Sequence, residues 1–101
     1  MPPDFPSDAA KGMRIELSSK FALKSRLYFE RGRFPESFDQ CAGGYDMSQS
    51  NPEVLDCLSK LQDIADQRVK EGCDGAKVAL RITRENTLSH KNAEKVLEKC
   101  K

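Results

Sequence analysis

Apolar residues recur at spacings of three and four along residues 51–71, and this pattern predicts an amphipathic helix. Asp56 and Lys60 lie on the opposite, polar face, where they form a favourable i,i+4 pair. Asn51 is a typical helix N-cap, and Gly72 is a typical residue to end the helix. The apolar stripe consists of Val54, Cys57, Leu58, Leu61, Ile64, Ala65 and Val69. Other parts of the chain must cover this stripe.

Two further helices are predicted before this one. The pattern indicates a helix over residues 20–31, capped by Ser18 or Ser19, and another over residues 35–45. Gly32 ends the first of them. Because only three residues separate the two helices, an antiparallel hairpin is the favoured geometry.

The segments at either end of the chain are less regular. Residues 1–12 contain three prolines and little apolar material, which predicts a flexible lead. Residues 13–17 alternate between apolar and polar, as a short strand or an extended segment packed on the core would. Residues 77–83 fit both a strand and a helix, and we favour the helix. The alternative is an α+β fold with short strands near 13–17 and 77–83, although a two-stranded sheet is weak by itself.

The remaining signals complete an all-α prediction. The GCDG segment at residues 72–75 indicates a turn, and Thr87 or Ser89 caps a last helix that ends at Cys100. With 101 residues the chain is long enough for one domain. We therefore predict a single domain over residues 13–101, built of four to five helices in antiparallel hairpins.

Charge is distributed in three blocks. The net charge is +3 through Arg33, −6 over residues 34–74 and +4 from Gly75 onward. Basic ends around an acidic middle favour helices that attract one another when they pack. A nucleic-acid site in the basic carboxyl-terminal third is an alternative, but no aromatic platform or nucleic-acid motif accompanies the charge. Its residues would be Lys77, Arg81, Arg84, Lys91 and Lys95.

The four cysteines have no pair at C-x-x-C spacing, so a metal site is not expected. For Cys41 and Cys57, which fall on predicted apolar faces, we favour a role as small buried hydrophobic residues. The even count, completed by Cys73 and Cys100, also permits two disulfides, and the spacing leaves their connectivity open. Two disulfides would fit a small secreted or periplasmic inhibitor or immunity protein.

Location is predicted from what the chain does not contain. No stretch approaches the roughly 18 consecutive apolar residues that a membrane span requires. Residues 1–12 lack the basic and apolar regions of a signal peptide. The expected location is therefore the cytoplasm, with no membrane partner. An alternative is that the chain is the amino-terminal piece of a longer protein.

Catalytic chemistry is not predicted. His90 is the sole histidine, and we expect it to be solvated in the first turn of the last helix. Cys73 lies beside Asp74, and a neighbouring carboxylate lowers the reactivity of a thiol. The glycines form no phosphate-binding motif. We therefore predict that the protein is not an enzyme and has no catalytic residue, cofactor or metal.

Large and small residues in the first predicted hairpin follow the spacing of a known helical repeat. They are Phe21, Tyr28, Gly32, Phe34, Ser37, Cys41 and Gly44. In this spacing the chain resembles a tetratricopeptide repeat, a helix-turn-helix unit of 34 residues. The resemblance implies one repeat over residues 18–51, followed by residues 52–71 as the first helix of the next.

The resemblance also implies a function. In that family the first helices of the repeats line a concave groove that holds a peptide. The positions that match this groove are Arg26, Phe29, Glu30, Asp56, Lys60 and Asp63. The lysine and asparagine pattern that clamps a terminal carboxylate in chaperone-binding members is missing from these positions. We therefore predict an adaptor-like interaction module, or a small subunit of an assembly, that binds a peptide or helix of another protein and not a chaperone tail.

Overall fold

A computed structural model describes the backbone of residues 7–100 and the side chains of residues 13–100. This part of the chain forms five α-helices and no strand. The helices are α1 (Ser7–Glu30), α2 (Phe34–Met47), α3 (Pro52–Val69), α4 (Cys73–Arg81) and α5 (Leu88–Glu98). The all-α prediction is confirmed. The α+β alternative is wrong, because residues 13–17 lie in α1 and most of residues 77–83 lie in α4.

Helix α1 begins at Ser7, well before the predicted cap at Ser18 or Ser19. Of the predicted flexible lead over residues 1–12, residues 7–12 belong to α1, and residues 1–6 lie outside the described residues. Ser18 is fully buried and its hydroxyl donates to the carbonyl oxygen of Ile15 at 2.7 Å, an intrahelical bond. Ser18 is thus a small buried residue in the middle of α1, and it does not cap the start of a helix as predicted.

Helix α4 starts three residues earlier than the predicted turn allows. The chain reverses at Gly72, whose φ of 102° is in the left-handed region that favours glycine. Cys73 and Gly75, which the GCDG pattern assigned to the turn, are already helical. The last helix agrees with its prediction, because the hydroxyl of Thr87 accepts a hydrogen bond from the amide of His90 at 3.3 Å.

The contacts between α1 and α2 show how these two helices lie. Phe29 and Phe34 pack edge to face with ring centroids 5.2 Å apart. Further from the turn, the hydroxyl of Ser37 donates to the carbonyl oxygen of Ser25 at 2.7 Å. Earlier residues of α2 therefore meet later residues of α1, as in helices that run side by side in opposite directions. The small residues at these contacts let the two backbones come close.

Asn51 joins α1 to α3. Its side chain is almost fully buried, and Nδ2 donates to the hydroxyls of Ser18 at 2.7 Å and Ser19 at 2.9 Å. Its Oδ1 accepts from the amide of Glu53 at 3.0 Å, as the predicted N-cap does. One side chain thus caps α3 and fixes the position of α3 against α1.

We expect Asn51→Ala to lower the free energy of unfolding by about 2–3 kcal/mol, because it removes a cap and leaves buried hydroxyls without a donor. Urea denaturation measures the change. Asn51→Asp is the matched control, since a carboxylate keeps the capping acceptor but loses both donated bonds, and its stability should be intermediate. An alanine variant as stable as the wild type would contradict this role.

The molecule is thin and long. Its radius of gyration is 16.2 Å, compared with about 13 Å for a compact 100-residue domain, and its shortest dimension is 16 Å. The largest fully buried side chains are those of Leu61, Ile82 and Val54, whereas Leu23 and Leu27 are about half exposed. A layer of helices with a narrow core leaves its broad faces accessible, so a binding surface is to be sought on a face.

Two disulfides hold the helices together. Cys41–Cys57 connects α2 to α3 inside the core, and Cys73–Cys100 connects the start of α4 to the residues after α5 at the surface. Cys41 and Cys57 are buried as predicted, and they form a disulfide, a possibility that the sequence left open. The Cα atoms lie 6.2 and 6.1 Å apart, within the range for a disulfide. Such proximity arises from helix packing and cannot be recognised from sequence spacing.

An exposed ion pair connects α2 to α4. The guanidinium of Arg81 donates to both carboxylate oxygens of Asp39, at 2.9 and 2.8 Å. These hydrogen bonds lower the pKa of Asp39 below its ordinary value. A group with a lowered pKa in the folded state contributes stability above its unfolded pKa and loses it as the pH falls through the folded pKa.

We expect Asp39 to titrate below the ordinary aspartate pKa of about 3.9 when its carboxyl carbon is followed by NMR. Arg81→Met should return the pKa to the ordinary range, because it removes both donors. An unchanged pKa for Asp39 in the variant would mean that the ion pair does not persist in solution.

Candidate partner-binding groove

An open groove of about 930 Å³ runs between α1 and α3. Its floor consists of the lining residues that are buried or half-buried, and α2 contributes one of them. The floor residues are Ser19, Ala22, Ser25, Phe29, Ser37, Cys57 and Ile64. The exposed lining residues stand on the two helices at either side and form the rims.

The floor has little polar capacity left for a ligand. The hydroxyls of Ser25 and Ser37 lie 2.9 Å apart and share a hydrogen bond, while Ser37 also bonds to the backbone of α1. The sulfur of Cys57 is bonded to Cys41. Among the described side chains, no buried nitrogen or oxygen lacks a hydrogen-bond partner. The floor therefore favours apolar groups and holds no free nucleophile.

The rims are charged, with an excess of acid. Five acidic residues stand against three basic ones, giving a net charge of −2; the acidic residues are Glu16, Glu30, Glu53, Asp56 and Asp63, and the basic residues are Lys20, Arg26 and Lys60. On the α3 rim, Lys60 Nζ lies 3.1 Å from Asp56. Glu53 and Asp63 form no ion pair with the described residues. The α3 rim thus presents two carboxylates that are available to a cationic partner.

All six residues predicted for partner binding line this groove. Arg26, Phe29 and Glu30 stand on α1, and Asp56, Lys60 and Asp63 stand on α3. Phe29 is half-buried against Phe34, so it contributes to the floor and is not a freely exposed anchor.

The sequence prediction did not include Glu16, Lys20 and Leu23 on the α1 rim, nor Ser37 on the floor. Glu16, Lys20 and Leu23 continue the three-and-four spacing of Arg26 and Glu30 toward the amino terminus. The predicted start of the helix, with its cap at Ser18 or Ser19, excluded Glu16, whereas Lys20 and Leu23 lay inside the predicted helix and were missed because the resemblance supplied only Arg26, Phe29 and Glu30. Ser37 belongs to another helix, and no pattern within α1 or α3 could indicate it.

His90 lies on α5, away from the groove. The hydroxyl of Thr83 donates to the carbonyl oxygen of Ala79 at 2.6 Å and therefore accepts from His90 Nδ1, 3.1 Å away. His90 Nε2 lies 3.5 Å from Glu94. The side chain is 14 % exposed, so the expectation of a solvated histidine is wrong. The ring is held by structural contacts, because it connects α5 to Thr83 in the segment that follows α4.

Comparison with protein-family models, with curated proteins and with solved structures finds no match. Within the part of the chain that the structure describes, no helix has the length and apolar character needed to cross a membrane. No cluster of three or more histidine, cysteine, aspartate or glutamate side chains there could hold a metal ion.

Proposed function

We propose that this protein is an interaction module that holds a segment of a partner protein in the groove between α1 and α3. The observation that carries the proposal is the groove itself, in which an apolar floor lies between two charged rims. The occupant that fits this chemistry is a segment with apolar side chains on one side and lysine or arginine next to them. The resemblance to a tetratricopeptide repeat supports the same surface.

The dimensions fit a short segment. The α1 rim runs from Glu16 to Glu30, which corresponds to about 21 Å along a helix. A helix of about 14 residues or an extended strand of about six residues spans this length. Apolar side chains of the segment would pack on Ala22 and Ile64. Its cations would face Glu53 and Asp63, and the acidic rim would attract them before contact.

The proposal is tested by selecting 16-residue segments from a random displayed library on the purified full chain. We expect the selected segments to combine apolar residues with lysine or arginine and to lack acidic residues. The double variant Asp56→Lys with Asp63→Lys should lose them, because it reverses the charge of the α3 rim. Asp46→Lys with Glu85→Lys is the matched control, since it changes the net charge equally at exposed sites outside the groove.

Three results would overturn the proposal. The first is a library that yields no binding segment, and the second is a set of selected segments rich in acid. The third is equal binding by the rim variant and the control variant. Chemical-shift changes in the selected complex should cover Ala22 and Ile64, and changes confined to α5 would place the binding surface elsewhere.

The disulfides bear on where the module acts. Disulfides persist in oxidising compartments and are rare in the cytosol. We therefore propose a secreted, periplasmic or other oxidising location in place of the cytoplasmic one expected from sequence. Alkylation of the native protein from its source should modify no cysteine before reduction. Four alkylated thiols would contradict this location.

The nucleic-acid alternative has less support. Arg81 is paired with Asp39, and the guanidinium of Arg84 lies 4.0 Å from the centroid of the Tyr45 ring. Two of the five basic residues of that alternative are thus occupied within the chain. Phosphate contacts give an affinity that falls steeply with salt. Because two of the five residues are occupied, we expect no binding of a random DNA duplex at physiological ionic strength. A salt titration of the duplex with the full chain measures this.

A further inference from the structure

Four exposed residues on α1 lie on one stripe that the rest of the described chain does not cover. Lys20, Leu23, Leu27 and Glu30 have spacings of three, four and three, which is the spacing of one seam of a helix. Leu23 is 54 % exposed and Leu27 is 48 % exposed. We call these four residues the α1 seam. Two leucines between opposite charges form a surface suited to a second helix.

The α1 seam lies on the other side of the helix from the packed face. The buried residues of α1 are Ser18, Ala22 and Ser25, which face α2 and α3. The two seam leucines are each offset from the buried residues by roughly 100° or more around the helix, at 100° per residue. The seam can therefore accept another helix without disturbing the fold.

We propose that the α1 seam pairs with the α1 seam of a second copy of this chain, with the two helices antiparallel. Centring the pair on Ser25 places Leu23 opposite Leu27 of the other copy and Lys20 opposite Glu30. The two-fold axis makes each of these contacts twice. A parallel pair would instead place Lys20 against Lys20 and Glu30 against Glu30. Between these two directions, the order of charges along the seam therefore favours the antiparallel one.

The charges of the seam are available for this pairing. Among the described residues Lys20 forms no ion pair, and Glu30 has only a long contact with Arg26 at 3.9 Å. Lys20 and Glu30 of one chain are about 15 Å apart along the helix, too far to pair with each other. The two charges therefore do not pair within one chain, whereas the antiparallel arrangement brings them together between two copies.

This inference does not depend on the proposed function. It requires the α1 seam alone, whereas the groove also requires the carboxylates of α3. Lys20, Leu23 and Glu30 belong to both surfaces. The α1 helix of the second copy would consequently stand along the α1 rim and narrow the groove from that side.

Sedimentation equilibrium of the full chain at several concentrations tests the pairing. We expect a reversible dimer for the wild type, weakened at least about tenfold by Lys20→Glu or by Glu30→Lys, because each places like charges opposite each other twice. The double variant Lys20→Glu with Glu30→Lys should restore the dimer to within about threefold, since every pair is again of opposite charge. Restoration by the second charge change distinguishes self-pairing from a loss of folding.

A second set of variants tests the leucines. Leu23→Glu with Leu27→Glu should give a monomer, while Leu17→Glu should leave the dimer unchanged. Leu17 is a matched control because it is 40 % exposed on the same helix but lies outside the seam. Circular dichroism checks that each variant is folded.

The inference is overturned if the wild type is monomeric at all concentrations, if the double charge variant fails to restore the dimer, or if Leu17→Glu weakens it equally. Each of these results leaves the groove experiment unaffected, because that experiment changes only Asp56 and Asp63. Conversely, a chain that selects no segment but forms the charge-dependent dimer would overturn the proposed function alone.

Discussion

Gly75→Ala is expected to destabilise the protein by roughly 3–5 kcal/mol, the range of the most damaging single substitutions. A Cβ atom at this position would overlap the carbonyl oxygen of Arg68, and it would lie 3.2 Å from the Cβ of Glu71. The carbonyl oxygen of Arg68 belongs to the backbone, so it cannot rotate away as a side chain could. Helix α4 would have to move off the last turn of α3 and lose the packing of Ala76 and Ala79.

Gly43→Ala is the matched control for this prediction. Gly43 also lies inside a helix, but an added Cβ would meet only the ring of Phe21, at 3.2 Å, and that side chain can shift. Alanine is favoured over glycine in a helix by about 1 kcal/mol, so the control should stay within about 1 kcal/mol of the wild type. Urea denaturation measures both variants. Equal stability of the two would show that α3 and α4 do not approach as closely as described.

Replacement of both Cys41 and Cys57 by alanine is expected to lower the free energy of unfolding by about 4 kcal/mol. The two cysteines are 16 positions apart in the sequence. A disulfide that closes a loop of this length stabilises the folded state by about 3 kcal/mol, because it restricts the conformations of the unfolded chain. Loss of two buried sulfurs adds about 1 kcal/mol, because Cys41 is fully buried. A domain of this size has roughly 5–15 kcal/mol in total, so the variant should be close to unfolding.

The measurement is again urea denaturation, performed without reductant so that Cys73–Cys100 stays intact. The control is Ser37→Ala, which alters a fully buried residue of the same helix without opening a loop, and it should cost about 1 kcal/mol. A loss below about 1 kcal/mol for the double cysteine variant would contradict the structural role of the bond.

The sequence was sufficient for α3, where the cap at Asn51, the apolar stripe and the glycine at position 72 all agree. It was insufficient for α1, because Met13, Ile15 and Leu17 stay exposed and do not form a buried strand face. The early start of α4 depends on Gly75, whose close approach to α3 is a tertiary contact that local turn signals cannot show.

The groove was predicted in part. Its six expected residues came from the positions of a repeat resemblance, and the structure places them on two facing helices. The floor could not be found in this way, since Ser37 and the oxidised Cys57 are brought there by packing between different helices. A pattern along one helix can indicate which of its side chains share a face. Which helix packs opposite that face depends on the tertiary fold and cannot be read from the same pattern.

The two disulfides differ in how a reductant would meet them. Cys73 and Cys100 lie at the surface, whereas Cys41 and Cys57 are shielded by the helices that they join. Mild reduction would therefore open the outer bond first and release the end of α5, which would then be retained by Ala93 and by the contact between Thr83 and His90. The half of the molecule that carries the groove would keep the Cys41–Cys57 disulfide, while the end of α5 would unfold locally.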